Sequence, residues 1–385
     1  MKFSLKKTSL IICCAMTTIL TSNAQTISKN SFGKGLKIIA ADSSFYMKAS
    51  LRLQNRYDGV LLDNEYTDQM FLRRARLKFD GFVYSPKVKF KLEADIVSGE
   101  IKDAVVKWNF YKGFELWAGQ TKLPGNRERV ISSQKLQFVD RSQLNSAFTL
   151  DRDKGIQIRH KFKVGKMIVR EALAISQGEG PNERNKKFES SPDLNGKQYT
   201  FRMEFLPFGK FASKGDYFGS DLKREPKPKL SIGGTFDFNN NAIRTRGNTK
   251  DFLTKSKDIR SYFVDMMFKY KGISFMGEYA KREVNNNIVT PFRDSDKSSA
   301  FYTGNAINLN LGYLLKNNWE VAVRYTQVNP DKITDKTELK EYTLGVSKYI
   351  VGHSLKIQSD LTRRTELNAL NDELYIFRLQ VEVSF

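Results

Sequence analysis

Beyond residue 14 the sequence has no cysteine, and the two it contains, Cys13 and Cys14, are adjacent. A disulfide framework, a thiol nucleophile and a thiolate metal site are therefore excluded from the rest of the chain. Histidine is as scarce, with His160 and His353 as the whole set. Neither has histidine, cysteine or carboxylate neighbours at ligand spacing, so a zinc site has no basis. A general base beside a nucleophile is missing too, and we expect neither an enzyme nor a cofactor. After the N-terminal segment no run approaches the 18 or so apolar residues of a membrane-spanning helix. No apolar stripe of helical period and length is found either.

What is present begins with an address. "MKFSLKKTSLIICCAMTTILTSNAQ" has Lys2, Lys6 and Lys7, an apolar stretch from Leu10 to Leu20, and small Ser22 and Ala24 at signal-peptidase spacing. Residues 1–24 read as a cleaved signal peptide. A lipoprotein is excluded because bulky Ile11 and Ile12 precede the cysteines. The formal charge of +22 becomes 22 − 3 = +19 without the three signal lysines. Such an excess suits nucleic acid, anionic lipid or anionic solutes, and export leaves nucleic acid out.

The remaining chain alternates apolar and polar residues one by one. Leu51 and Leu53 alternate with Arg52 and Arg56 nearby; Ala75, Leu77 and Phe79 with Arg74, Arg76 and Lys78; Val88, Phe90 and Leu92 with Lys89 and Lys91. This period of two marks strands. It recurs near 102–111, 114–121, 155–164, 166–176, 198–206, 229–238, 259–270, 272–282, 305–315, 319–328, 340–350, 353–363 and 374–385, which makes sixteen strands with the first three. The connections alternate as well. Ser85–Pro86, Lys112–Gly113, Gly165, Lys271, Lys316–Asn318 and Val351–Gly352 are tight. Asp58–Gln69, Lys122–Lys154, Gln177–Lys197, Asn239–Asp258, Glu283–Gly304, Asn329–Leu339 and Arg364–Glu373 are long. Ser98–Ile101 is short but polar. Short turns on one side and long loops on the other are the asymmetry of an outer-membrane barrel. The fold expected is all-β: a transmembrane antiparallel barrel at 46–385, preceded by a periplasmic segment at 25–45. Its surroundings are lipid and lipopolysaccharide. Pro207–Pro228 breaks the rule, being long on the short side. "SQGEGP" at Ser176–Pro181 lacks the Lys-Ser/Thr and helix of a phosphate loop and reads as the start of a connection.

If the apolar set faces lipid, Lys48, Arg52, Arg56, Arg74, Arg76, Lys78, Lys89 and Lys91 face the lumen. On three sequential strands they make a basic wall, interrupted by Asp80, Glu93 and Asp95. A path for anions follows. The longest connection, 122–154, is expected to fold into the barrel and to bring Lys122, Arg127, Arg129, Lys135, Arg141 and Arg152 to a constriction, where guanidinium forks match phosphate oxygens.

Overlapping it, "AGQTKLPGNRERVISSQKLQFVDRS" resembles the signature region of the phosphate-selective porin O and P family through Gly119, Gln120, Lys122, Pro124, Glu128, Arg129, Ser132, Ser133, Phe138 and Arg141. "FLRRARLKFDG", "WEVAVRYTQV" and the final strand extend the resemblance over most of the chain. Pro124-Gly125 stands where the family motif continues Pro-Phe. The chain end, "ELYIFRLQVEVSF", looks like the assembly signal read by the barrel insertion machinery, with Phe385 as its terminal aromatic. The resemblance implies a sixteen-stranded, homotrimeric, anion-favouring channel; it does not by itself fix the solute, for which phosphate or polyphosphate is the leading expectation. A barrel that mounts long loops for binding or adhesion, and a general small-solute porin, are the other readings.

Overall fold

The computed structural model describes residues 32–181, 196–293, 295–366 and 373–385. The signal-like segment 1–24 lies outside these, as do parts of the connections at Gln177–Lys197 and Arg364–Glu373.

In lipid every backbone N–H and C=O of a strand needs a partner within the sheet. The chain meets this by pairing each strand with the next in antiparallel register until the last meets the first. The first eight are β1 (Phe45–Leu62), β2 (Glu65–Val83), β3 (Val88–Asp95), β4 (Glu100–Tyr111), β5 (Phe114–Lys122), β6 (Arg152–Val164), β7 (Met167–Ser176) and β8 (Gln198–Leu206). The second eight are β9 (Lys229–Arg246), β10 (Thr249–Tyr270), β11 (Ile273–Val284), β12 (Gly304–Leu314), β13 (Trp319–Pro330), β14 (Leu339–Val351), β15 (Leu355–Glu366) and β16 (Glu373–Ser384). The expected sixteen strands are all there. β16 closes on β1 from Leu374 opposite Leu62 to Ser384 opposite Arg52, so the barrel has no open seam. Phe385 extends the seam by exchanging backbone hydrogen bonds with Leu51 at 2.8 and 3.0 Å. A short strand, Leu36–Ile39, pairs with the start of β1, Ile38 opposite Met47.

Register carries the alternation around the wall. Leu51 lies opposite Leu77, while their neighbours Arg52 and Arg76 face each other on the other side of the sheet. Leu77, Leu92, Val106, Ile158, Leu311, Leu344 and Phe377 are exposed on the outside, where lipid removes them from water.

Two connections are shorter than the alternation implies. β1 and β2 stay paired to Leu62 and Glu65 and turn at Asp63 and Asn64, both with positive φ (49° and 67°), as a two-residue hairpin turn requires. The connection expected over Asp58–Gln69 is therefore strand, and Asn239–Asp258 is a strand pair that turns at residues 247–248. Beyond the bilayer both faces of a strand are wet. Pairing continues there while the apolar alternation that marks it stops.

The connection between β5 and β6 does turn into the barrel. It carries α1 (Arg127–Val130) and α2 (Gln143–Phe148). Leu123, Leu144, Phe148 and Leu150 are buried against Ala174, Phe263, Ala280, Ala306 and Val328 on β7 and β10–β13. Burial of such side chains contributes about 1.5–3 kcal/mol each. Glycine makes the close approach possible: a β-carbon at Gly312 would lie 1.9 Å from the Gln137 amide nitrogen, and one at Gly345 2.9 Å from the Phe138 ring.

Candidate functional site: a basic passage beside the infolded loop

Because the infolded loop leans on one side of the wall, the lumen stays open on the other. A cavity of about 480 Å³ runs along β2–β6 on the extracellular side. Eleven basic side chains line it: Arg73, Arg74, Arg76, Lys91, Lys102, Lys107, Lys122, Arg129, Arg141, Arg152 and Arg159, against the carboxylates Glu93, Asp95 and Asp103. It shares Arg76, Lys91, Glu93 and Ser132 with a cavity of about 790 Å³ that opens at the periplasmic end beside Gly352 and Phe385. A third cavity of about 630 Å³ also reaches Ser132 and shares Lys135 with the second. Ser132, at the tip of the infolded loop, is where the passage divides.

Of the residues expected on the wall, Arg74, Arg76 and Lys91 line the extracellular cavity and Lys48, Arg52, Arg76, Lys78 and Lys91 the larger periplasmic one. Arg76 pairs with Glu93 and Asp95 at 2.8 and 3.0 Å, and Lys91 with Glu93 and Asp103, both at 2.7 Å. Arg52 is held by Ser133 at 2.8 Å and Glu382 at 3.1 Å, and Lys78 by Asp80 at 2.6 Å. Lys48 stands opposite that same Asp80. Arg74 donates to Gln54 at 2.7 Å. Two do not join the passage. Arg56 is buried between Asp58 and Asp140, and Lys89, exposed at the periplasmic end of β3, lines none of the three cavities.

The loop residues divide in the same way. Arg129, pinned by Asp151, Arg152, paired with Asp103 at 3.2 Å, and Lys135 face the passage. Lys122 donates to the carbonyls of Arg129, Val130 and Ile131 at 2.6–3.2 Å, and Arg141 to those of Glu128 and Ile131 at 3.0 and 2.8 Å. Both line the cavity while shaping the loop. Arg127 corrects the expectation of a constriction residue. It is fully buried on the far side of the loop, with Asp265 at 2.6 Å, Ser231 at 2.9 Å and Glu204 at 3.4 Å. A guanidinium between two wall carboxylates latches the loop and leaves the solute nothing to touch.

Sequence reasoning stopped the basic wall at β3, yet it continues. Lys107 on β4 lies 3.6 Å from the centre of the Trp117 ring, and Arg159 on β6 lies 4.1 Å from it. Carrying the period of two onward from Val106–Trp108 and Ile158–His160 would have placed both inward. Among the described residues, Arg74, Lys107, Lys122, Arg141 and Arg159 have no carboxylate at ion-pair distance. The carboxylates of the opposite wall are covered instead. Asp265, Glu278, Glu320 and Asp360 are buried under the loop, where Glu278 accepts from the Glu128 amide, Glu320 from Gln137 and Asp360 from the Val139 amide at 2.8–3.2 Å. Arg202, Lys269, Arg282, Arg324, Lys356 and Arg378 of that wall are buried as well, so the basic excess of the passage comes from β2–β6 and the infolded loop.

Lys135, three residues from Ser132, lines both cavities of the periplasmic end. Burial, reinforced by Lys78, Lys214 and Lys48, pulls its pKa down to about 8. Its charge is present below that value and is lost as pH rises through it. Charge selectivity in reversal-potential measurements is therefore expected to fall between about pH 7 and 9, with Lys135→Arg flattening that step. An identical pH profile in Lys135→Arg would show that this group does not set it.

The model of the family described as phosphate-selective porin O and P matches residues 47–374, nearly the whole barrel. The chain belongs to this family. A protein of Aquifex aeolicus (strain VF5) is 25% identical to this porin over 354 residues, covering 81% of this chain and 80% of its own length. Among solved structures, Salmonella typhi OmpF in complex with daunomycin superposes with a TM-score of 0.56 at 11% identity, over 89% of this chain and 98% of that one. An anion-selective porin from Comamonas acidovorans gives 0.52 at 11% identity, over 88% and 100%. The structural likenesses are of fold. With the family, they make this porin an outer-membrane channel for small solutes whose described passage is the one beside the infolded loop.

Proposed function

We propose that the porin is a passive channel favouring anions, with phosphate or polyphosphate as its leading solutes. One observation carries the reading: eleven basic side chains against three carboxylates around the extracellular cavity. In a lumen walled by low-dielectric sheet and lipid, such an excess lowers the barrier for anions and raises it for cations. Arginine adds a reason for phosphate, since its planar fork matches two phosphate oxygens. The family and the anion-selective porin from Comamonas acidovorans, similar in fold, support the same sign of selectivity. The homotrimer, the cleaved signal peptide and the assembly role of Phe385 belong to this proposal as well.

Planar-bilayer recordings in a potassium chloride gradient test it. The reversal potential is expected on the chloride side, and phosphate added to the bath is expected to block current saturably. The block should be stronger at 0.1 M salt, where the screening length is about 10 Å, than at 1 M, where it is about 3 Å. A reversal potential on the potassium side would end the anion reading. A phosphate response that is linear and insensitive to salt would leave an anion channel without a phosphate site. A barrel that conducts nothing would favour the mount for surface loops.

A further inference from the structure

The connection 207–228 is long on the side of short turns, and solute selectivity assigns it no task. It is not a surface loop. Its first half turns into the periplasmic mouth, where Phe211 is buried with Ile131 and Leu136 of the infolded loop and with Met267 and Met276 of the wall. Tyr217 donates to Glu204, and Arg170 pairs with Asp216, whose backbone carbonyl accepts from Arg127 at 3.0 Å. The second half is fastened to neighbouring turns. Lys269 donates to the carbonyls of Phe218 and Ser220 at 2.9 and 2.6 Å, and the Gly272 amide donates to Asp221 at 2.9 Å. Arg224 donates to the Leu315 carbonyl at 2.6 Å.

At its centre the segment meets the tip of the infolded loop. The Gly219 amide donates to the Lys135 carbonyl at 2.8 Å, and the Lys135 ammonium lies 3.8 Å from the centre of the Phe218 ring. A β-carbon on Gly219 would come within 2.7 Å of the Gln137 nitrogen, so the two backbones touch. The two periplasmic cavities part here. Ser213, Phe218 and Asp221 line the one of about 790 Å³, and Lys210, Lys214 and Tyr217 the one of about 630 Å³.

We propose that segment 207–228 is a second, periplasmic constriction of the channel, which divides the exit in two, holds the tip of the infolded loop and so sets the size limit for solutes. A sixteen-stranded barrel by itself leaves an aqueous channel. Here two inserted segments, one from each side of the membrane, meet within it, and removing either widens the passage. The inference concerns width and stands apart from the sign of the preferred ion.

The strands on either side stay paired to Phe205 opposite Ile232, so a short turn can replace residues 207–228 without breaking the ladder. In planar bilayers this variant is expected to show at least twice the parent's single-channel conductance. Glucose 6-phosphate, read from reversal potentials, should gain several-fold in permeability relative to chloride. A heat-modifiable, assembled variant with the parent's conductance and permeability ratio overturns the proposal. If the shortened chain does not assemble, Phe218→Ala and Gly219→Val decide, since both act at the contact between the two segments. Raised conductance in either supports the second constriction, and parent values in both overturn it. A parent that proves cation-selective refutes the anion reading and leaves these conductance tests intact.

Discussion

Replacing Arg74, Lys107 and Arg159 together with glutamate is expected to turn the porin from favouring chloride to favouring potassium. These three line the extracellular cavity without a carboxylate at ion-pair distance among the described residues, so no paired carboxylate offsets their charge. Arg76, by contrast, already faces Glu93 and Asp95. Each replacement changes the local charge by two units. At about 1 kcal/mol per unit charge at contact distance in water, each unit is worth about fivefold in ion distribution, and in a narrow lumen the effect is larger. Reversal potentials in a potassium chloride gradient read the outcome. A triple variant as anion-selective as the parent would place the filter elsewhere, with the lysines of the periplasmic cavity as the next candidates.

Arg127→Ala is expected to be the most destabilising single change in the infolded loop. The guanidinium is fully buried and bonded to Asp265, Ser231, Glu204 and the Asp216 carbonyl. Removing one partner of a buried ion pair costs about 3–5 kcal/mol. Arg202, at 2.7 Å from Asp265 and 2.8 Å from Glu204, still neutralises part of the exposed deficit, which favours the lower end. The barrel ladder is untouched, so the variant should assemble while its loop comes loose. The temperature at which the folded gel band converts to the unfolded one should fall, and single-channel records should become noisy. Arg129→Ala, which removes a half-buried pair with Asp151, should do less. Equal stability of the Arg127 variant and the parent would mean that the loop is held by its apolar face alone.

The architecture was legible in the sequence because lipid and water impose it one residue at a time. Outward Leu77 and inward Arg76 are neighbours in the chain, and no distant contact is needed to assign them. Strand number, turn side and closure of the last strand on the first follow from the same pattern. The pattern failed at Asp58–Gln69 and Asn239–Asp258, where water wets both faces, and it gave no role to Pro207–Pro228, where the chain leaves the wall. The wall was legible for Arg74, Arg76 and Lys91, and Lys107 and Arg159 were within reach of the same rule.

What the sequence by itself determined is a basic, lipid-facing barrel with a long arginine-rich connection after its fifth strand. Which of those arginines meet solute, only the tertiary structure decided. Arg127 and Arg129 are two residues apart, yet one is buried against Asp265 and the other lines the passage, because a four-residue helix turns them to opposite sides of the loop. The net charge of the passage was decided in the same way. Asp265, Glu278, Glu320 and Asp360 on β10, β11, β13 and β15 are covered by Arg127, Glu128, Gln137 and Val139 of the loop, which pack onto them from far away in sequence. Local periodicity reports which face a side chain takes. It holds no information on which distant segment will cover that face.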